Sequence, residues 1–191
     1  MPDLPGERRQ RFTTIVLGID PGTITTGYGV VGRMGSGMSI LACGAIRNTP
    51  RTPMPARLKR IHEELSSVIK THQPTECAIE TAFYGKNAQS ALKLGHARGV
   101  SLLVAAEHEI PTAEYSPREV KKAVVGKGNA SKEQVQFMVK ALLGQTTSHM
   151  MLDASDALAV AICHLHRCTV PDPLGKDWKA YVDAHPERVK R

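Results

Sequence analysis

The chain begins its patterned part at residues 13–19, Thr-Thr-Ile-Val-Leu-Gly-Ile, a β-branched and apolar run that stops at Asp20. Such a run, bounded by Pro21-Gly22-Thr23, predicts a buried strand followed by a turn. Residues 25–31 alternate well enough for a second strand, Gly35-Ser36-Gly37 marks another turn, and residues 38–46 predict a third strand. Connections this short favour an antiparallel meander. The period then changes. Leu58, Ile61, Leu65 and Val68 recur at spacings of three and four within 55–71, the stripe of an amphipathic helix. Residues 76–81 predict a short buried strand, 87–108 a long helix and 111–115 a fifth strand. Residues 117–125, 132–143 and 154–167 predict three further helices.

A hairpin meander followed by β-α-β crossovers implies an α/β architecture, a five-stranded mixed sheet with helices on both faces. Ribonuclease-H-like nucleases use the same strand order. No internal repeat or low-complexity block interrupts the pattern. Residues 1–12 are polar and Arg-rich and predict a flexible arm; 13–169 form the domain; 170–191, with Pro171, Pro173 and Gly175, predict a tail.

Composition narrows the function. The 191 residues hold 25 Lys and Arg against 18 Asp and Glu, a formal charge of +7, which suits a polyanionic partner or simply a solvated basic surface. The first 12 residues have no apolar core of a secretory signal, and the longest near-apolar stretch, 100–106, is far too short to span a bilayer. Cys43, Cys77, Cys163 and Cys168 form no CxxC pair, so a reducing cytoplasm is the expected compartment.

Candidate chemistry lies at three places. Asp20 leaves an apolar strand into a Gly/Pro turn, where it either caps a turn amide or serves a site at the sheet's edge. Glu80, in Cys77-Ala78-Ile79-Glu80-Thr81, also ends an apolar strand and is a surface charge or a site residue. If those strands are parallel neighbours, the two carboxylates lie side by side, which is costly unless a cation sits between them. Asp153 and Asp156 open the last helix on one face. Asp153 as N-cap and Asp156 in the first turn would serve the helix dipole equally well. Together the four are more specific. Acids from two strand ends and one helix start can converge on a pair of hard divalent cations, the arrangement of a two-metal phosphodiesterase.

These motifs resemble the RuvC-type Holliday junction resolvases. Gly18-Ile19-Asp20-Pro21-Gly22 is similar to the family's first motif. Ile79-Glu80-Thr81, Phe83, and the run from Lys86 through Asn87-Ala88-Gln89-Ser90 to Gly99-Val100 are similar to the second. Val120-Lys121 to Gly126 and Asp153-Ala154-Ser155-Asp156-Ala157-Leu158-Ala159 complete the likeness, which spans about 14–167 and is poor over 145–152. The resemblance implies that Asp20, Glu80, Asp153 and Asp156 are catalytic, metal-binding carboxylates. It implies two Mg²⁺ per subunit, with Mn²⁺ able to substitute, and a homodimer that nicks four-way junction DNA symmetrically in recombination and repair. It further implies partnership with the RuvA–RuvB branch-migration complex, and it assigns Phe83 to stacking on a junction base and Lys121 and Lys132 to the scissile phosphate.

Read physically, Phe83 and Tyr84 stand beside Gly85 and Lys86 in a chain with one Trp, four Tyr and three Phe. An aromatic there either wedges into distorted DNA or packs back on the domain. Lys86, Arg98, Arg118, Lys121, Lys122, Lys127 and Lys132 lie in the same region and suit phosphate neutralisation, or individually a solvated surface. Lys132 is a candidate stabiliser of transition-state charge. Ala91, Gly95 and Gly99 form a small-residue stripe for a helix packed within the chain or across a dimer. Cys163-His164-Leu165-His166-Arg167-Cys168 has zinc-ligand residue types, but within one helix they point in several directions and share no ion. Two other functions remain in view. An actin-like or sugar-kinase phosphotransferase needs a second half for which 191 residues leave no room, and a non-catalytic DNA-binding module has no need of four acids.

Overall fold

The structure, a computed structural model, describes residues 12–81, 88–144 and 152–168, the side chains of Ala88, Leu152 and Asp153 excepted. The strands are β1 (Thr14–Asp20), β2 (Thr25–Met34), β3 (Gly37–Arg47), β4 (Glu76–Glu80) and β5 (Thr112–Tyr115). The helices are α1 (Met54–His72), α2 (Ala88–Glu107), α3 (Pro117–Val125), α4 (Lys132–Leu142) and α5 (Leu152–Cys168). The sheet runs β3-β2-β1-β4-β5. The hairpin pairs β1/β2 and β2/β3 are antiparallel, and the crossover pairs β1/β4 and β4/β5 are parallel. This is the five-stranded mixed sheet of the ribonuclease-H-like class.

The period of two in each strand divides the core between two faces. Ile15, Leu17, Ile19, Cys77 and Ile79 pack with Ile61, Leu65 and Ile69 of α1 and Ala97, Val104 and Ala105 of α2. Val16, Ala78 and Tyr115 point the other way, onto Val120 and Val124 of α3, Val135 and Val139 of α4 and the apolar length of α5. Helices therefore cover both faces. Continuing the alternation from Val16 past Gly18, and from Ala78, sends Asp20 and Glu80 toward the side of α3, α4 and α5.

α5 lies directly on the sheet because glycine makes room for it. Gly18 and Gly29 are cross-strand partners. A Cβ on Gly18 would overlap the Ala157 carbonyl oxygen and stand 2.7 Å from the Ala161 nitrogen; one on Gly29 would stand 2.7 Å from Leu158 Cδ2. Both glycines serve close approach of a helix to a strand. The β1–β2 turn beyond Asp20 is held by the Thr26 hydroxyl, which donates to the Gly22 carbonyl at 2.7 Å. After Glu80, the Thr81 N–H donates to the Tyr115 carbonyl at 2.8 Å.

The ends of α3 and α4 follow from local sequence. Ser116 and Glu119 form a capping box with Pro117 in the first turn, and Gly126 closes α3 at φ 82°. Ser131 and Gln134 form a second box at the start of α4. Asp153 and Asp156 both lie within α5, so the alternative of Asp153 as N-cap does not hold.

The helix seat generates a stability prediction. Gly18→Ala must push α5 away from β1 and should cost about 1–3 kcal/mol or more. Gly37→Ala, whose Cβ would meet only the Met34 carbonyl at 3.5 Å, should be nearly neutral. Urea unfolding of the two variants checks this; equal losses would mean that no tight seat exists at Gly18.

Candidate active site

Asp20 and Glu80 sit at the carboxyl ends of two parallel neighbours, β1 and β4, in a register that pairs Ile19 with Ile79 one residue earlier. Across the other edge of β4, Glu80 is paired with Tyr115. α5 approaches the same end of the sheet. Its seat on Gly18 and Gly29 brings Asp156, one residue before Ala157, against the strand ends. Asp20, Glu80 and Asp156 line one cleft of about 200 Å³, together with Lys121, Lys132, Pro117, Val120, Val135 and Ala159. The walls are apolar, so charges inside it are weakly screened.

Glu80 shows the consequence. Burial pushes its carboxyl up to about 8, and the Asp20 and Asp156 carboxylates add to the rise, while Lys121 and Lys132 oppose it. Burial first, and like charge from the two neighbouring acids second, thus disfavour a third carboxylate in this cleft. Lys132 donates from Nζ to Asp156 Oδ2 at 2.7 Å. That lysine is the first residue of α4, where the helix dipole disfavours a cation, so its position is set by the acids rather than by the helix. Carboxylate oxygens in this number are the donor set of a hard divalent cation. Asp20, Glu80 and Asp156 are the described residues able to hold one here. Asp153 shares their helix, three residues before Asp156.

The structure thus brings together five of the residues singled out from sequence: Asp20, Glu80, Asp156, Lys121 and Lys132. Phe83, Lys86 and the Asp153 side chain lie outside the described residues, as do 145–151 of the segment 145–152. Arg118 is exposed on α3 with its stem over Gly128, where a Cβ would stand 2.7 Å from Arg118 Cγ, and it does not line the cleft. Arg98, grouped with the phosphate-neutralising bases, instead donates from Nε to Glu114 Oε2 at 3.0 Å and ties α2 to β5. Pro117, Val120, Val135 and Ala159 also line the cleft, and none was singled out from sequence as a site residue. Their signal was the capping box at Ser116 and the pairing of β5 with β4, which together aim the start of α3 at Glu80.

Comparison with known proteins agrees with this geometry. The sequence model of the family described as "Crossover junction endodeoxyribonuclease RuvC" matches residues 16–164. A protein of that name from Chloroherpeton thalassium is 52% identical over 149 residues, covering 78% of this chain and 80% of the relative. One from Salinibacter ruber is 43% identical over 176 residues, covering 92% of this chain and 98% of the relative. The solved structure "T. thermophilus RuvC in complex with Holliday junction substrate" is similar with a TM-score of 0.77 and 34% identity, covering 81% of this chain and 94% of that one. Over most of its length, then, the chain belongs to the crossover junction endodeoxyribonuclease RuvC family.

Proposed function

We propose that this protein is a structure-specific DNA endonuclease that resolves four-way junctions in recombination and repair by two symmetric, metal-dependent phosphodiester cleavages. The observation that carries the reading is the cleft where Asp20, Glu80 and Asp156 meet beside Lys121 and Lys132, in a chain of the crossover junction endodeoxyribonuclease family.

Asp20, Glu80 and Asp156, with Asp153, would hold two Mg²⁺ per subunit, and Mn²⁺ would serve in their place. Bound there, the ions supply an activated water and stabilise the leaving oxygen. The chain's own residues do the rest. The raised Glu80 carboxyl reflects its burial first and the neighbouring acids second, and a cation beside it would favour its charged form. Lys132 pairs with Asp156 and, were a cation to take that carboxylate, would stand within the cleft to meet the charge developing on phosphate. Lys121, half-buried at the cleft, neutralises the scissile strand, and Arg118 and Lys86 the flanking backbone. Phe83, two residues beyond Thr81, stacks on a base that has left its pair. The acids gather opposing charge at one point: apart from those four, 14 acidic residues stand against 25 basic ones, a surplus that suits DNA.

Two cuts of like polarity call for a pair of sites, hence a homodimer. What supports it is one face of α2. Leu92 and Leu103 are 65% and 53% exposed, and between them Gly95 and Gly99 face open space. The small-residue stripe therefore has no packing partner within the described residues and leaves room for a second copy. The RuvA–RuvB complex is the partner proposed for work on junctions, and the cytoplasm the compartment. Among the described residues no helix is long and apolar enough to cross a membrane.

The test is cleavage in Mg²⁺ of a synthetic four-way junction against linear duplex of the same sequence. The junction should be nicked in two strands and the duplex spared. Asp20→Asn should lower the rate by at least about a hundredfold while leaving junction affinity within a few fold. Equal cutting of both substrates, or full activity in Asp20→Asn, would overturn the assignment.

The carboxyl surplus also predicts a pH dependence in chelator. Glu80 titrates near 8 in the folded chain against a reference of 4.5. Between those values the folded state holds a proton that the unfolded state has lost, so this group's contribution falls as pH rises. Glu80→Gln removes that penalty. Its melting temperature relative to wild type should climb between pH 5 and pH 8.5, and a constant difference across that range would contradict the environment described for Glu80.

A further inference from the structure

The opposite ends of β4 and α5 carry a second cluster. Glu76 opens β4, four residues before Glu80, and His164 and Cys168 lie in the last turns of α5, eight and twelve residues after Asp156. At 3.3 Å per strand residue and 1.5 Å per helix residue, these residues stand about 12–18 Å along their elements from Glu80 and Asp156. We propose that Glu76, His164 and Cys168 form a separate binding site for Zn²⁺ or a cation of the same borderline-soft class.

The three side chains present one ligand atom each, all within 4.8 Å of one another. Cys168 Sγ lies 3.4 Å from His164 Nε2 and 3.4 Å from Glu76 Oε2. Ligands 2.0–2.3 Å from a tetrahedral zinc stand about 3.4–3.7 Å apart, so both sulfur distances already match. His164 Nε2 and Glu76 Oε2 are closer, at 2.5 Å, joined by a hydrogen bond that an ion would replace.

The histidine is oriented as a ligand would be. It is 6% exposed, and its Nδ1 is hydrogen-bonded to the Tyr115 hydroxyl at 2.6 Å. The ring edge of Tyr115 meets the imidazole, and the Arg167 guanidinium covers the Tyr115 ring at 5.2 Å. A partner on one ring nitrogen fixes the other toward the metal, the usual arrangement around metal-bound histidine. Mixed sulfur, nitrogen and oxygen donors select zinc over the Mg²⁺ or Ca²⁺ that an all-oxygen set prefers. One thiolate and one carboxylate neutralise a divalent charge, and the carboxyl end of α5 favours a cation. In the metal-free chain burial and Glu76 push the Cys168 thiol up to about 11, so binding exchanges that proton for the ion. The described residues supply three ligands, leaving a fourth position for water.

Two of residues 163–168 do come together, against the expectation from the helix alone. His164 and Cys168 are spaced i, i+4 and do share a face of α5. The third ligand comes from a strand 88 residues earlier, which no inspection of the helix alone reveals. An ion here clasps the start of β4 to the end of α5, the two elements whose other ends carry Glu80 and Asp156.

Titration with Co²⁺, which replaces zinc and reports sulfur ligation in its absorption spectrum, tests the proposal on the full chain. The wild type should develop a thiolate-to-cobalt charge-transfer band that saturates at one equivalent per chain and is displaced by Zn²⁺. An all-oxygen acid cleft gives no such band. Cys168→Ala should abolish it, and Glu76→Gln should weaken Co²⁺ binding about tenfold or more. Should the alanine variant fail to fold, Cys168→Ser keeps the side chain's size and should likewise lose the band. No band in the wild type, a band that survives loss of Cys168, or unchanged affinity in Glu76→Gln would each overturn the site.

Discussion

A helix laid directly on strand backbone is the contact on which the rest of the structure depends. Gly18 and Gly29, paired across β1 and β2, leave α5 to rest where any side chain would collide with Ala157, Ala161 or Leu158. From that seat, the first described turn of α5 can only lie over the carboxyl ends of β1 and β4. Parallel pairing sets Asp20 beside Glu80, and the helix adds Asp156. No loop has to find its place for these three to meet.

Rigid convergence of like charge is unfavourable by itself. Apolar walls from Val120, Val135 and Ala159 make it more so, and the carboxyl of Glu80 is forced toward its protonated form. Lys121 and Lys132 offset part of the charge, Lys132 by pairing with Asp156. The remainder suits the divalent cations proposed for the cleft. In the proposed reaction, carboxylates fixed beforehand would need no reorganisation when phosphate arrives. At the far ends of β4 and α5, Glu76, His164 and Cys168 gather under different rules, with sulfur and imidazole beside a single carboxylate.

Much of this could be read from residues alone because the decisive features are local. Apolar runs ending at Asp20 and Glu80 mark strand ends, and the β-α-β order makes those strands parallel neighbours. The Asp153–Asp156 spacing defines a helix face whatever the boundary, although the start of α5 at Leu152 moves Asp153 off the N-cap. Less accessible were features that depend on partners distant in sequence. Arg98 looked like one more base in a basic region; its partner, Glu114, belongs to a strand whose register must be known. The stripe of Gly95 and Gly99 allowed two kinds of neighbour, and only the open space beside both excludes one within the described residues. His164 and Cys168 lacked Glu76 until β4 was placed against α5.

Anomalous diffraction from crystals grown with Mn²⁺ in the absence of DNA locates the ion without relying on activity. The account predicts anomalous density within coordination distance of Asp20, Glu80 and Asp156, with Lys132 withdrawn from Asp156. Density absent from that cleft at saturating Mn²⁺, with the Lys132–Asp156 pair intact, would contradict it.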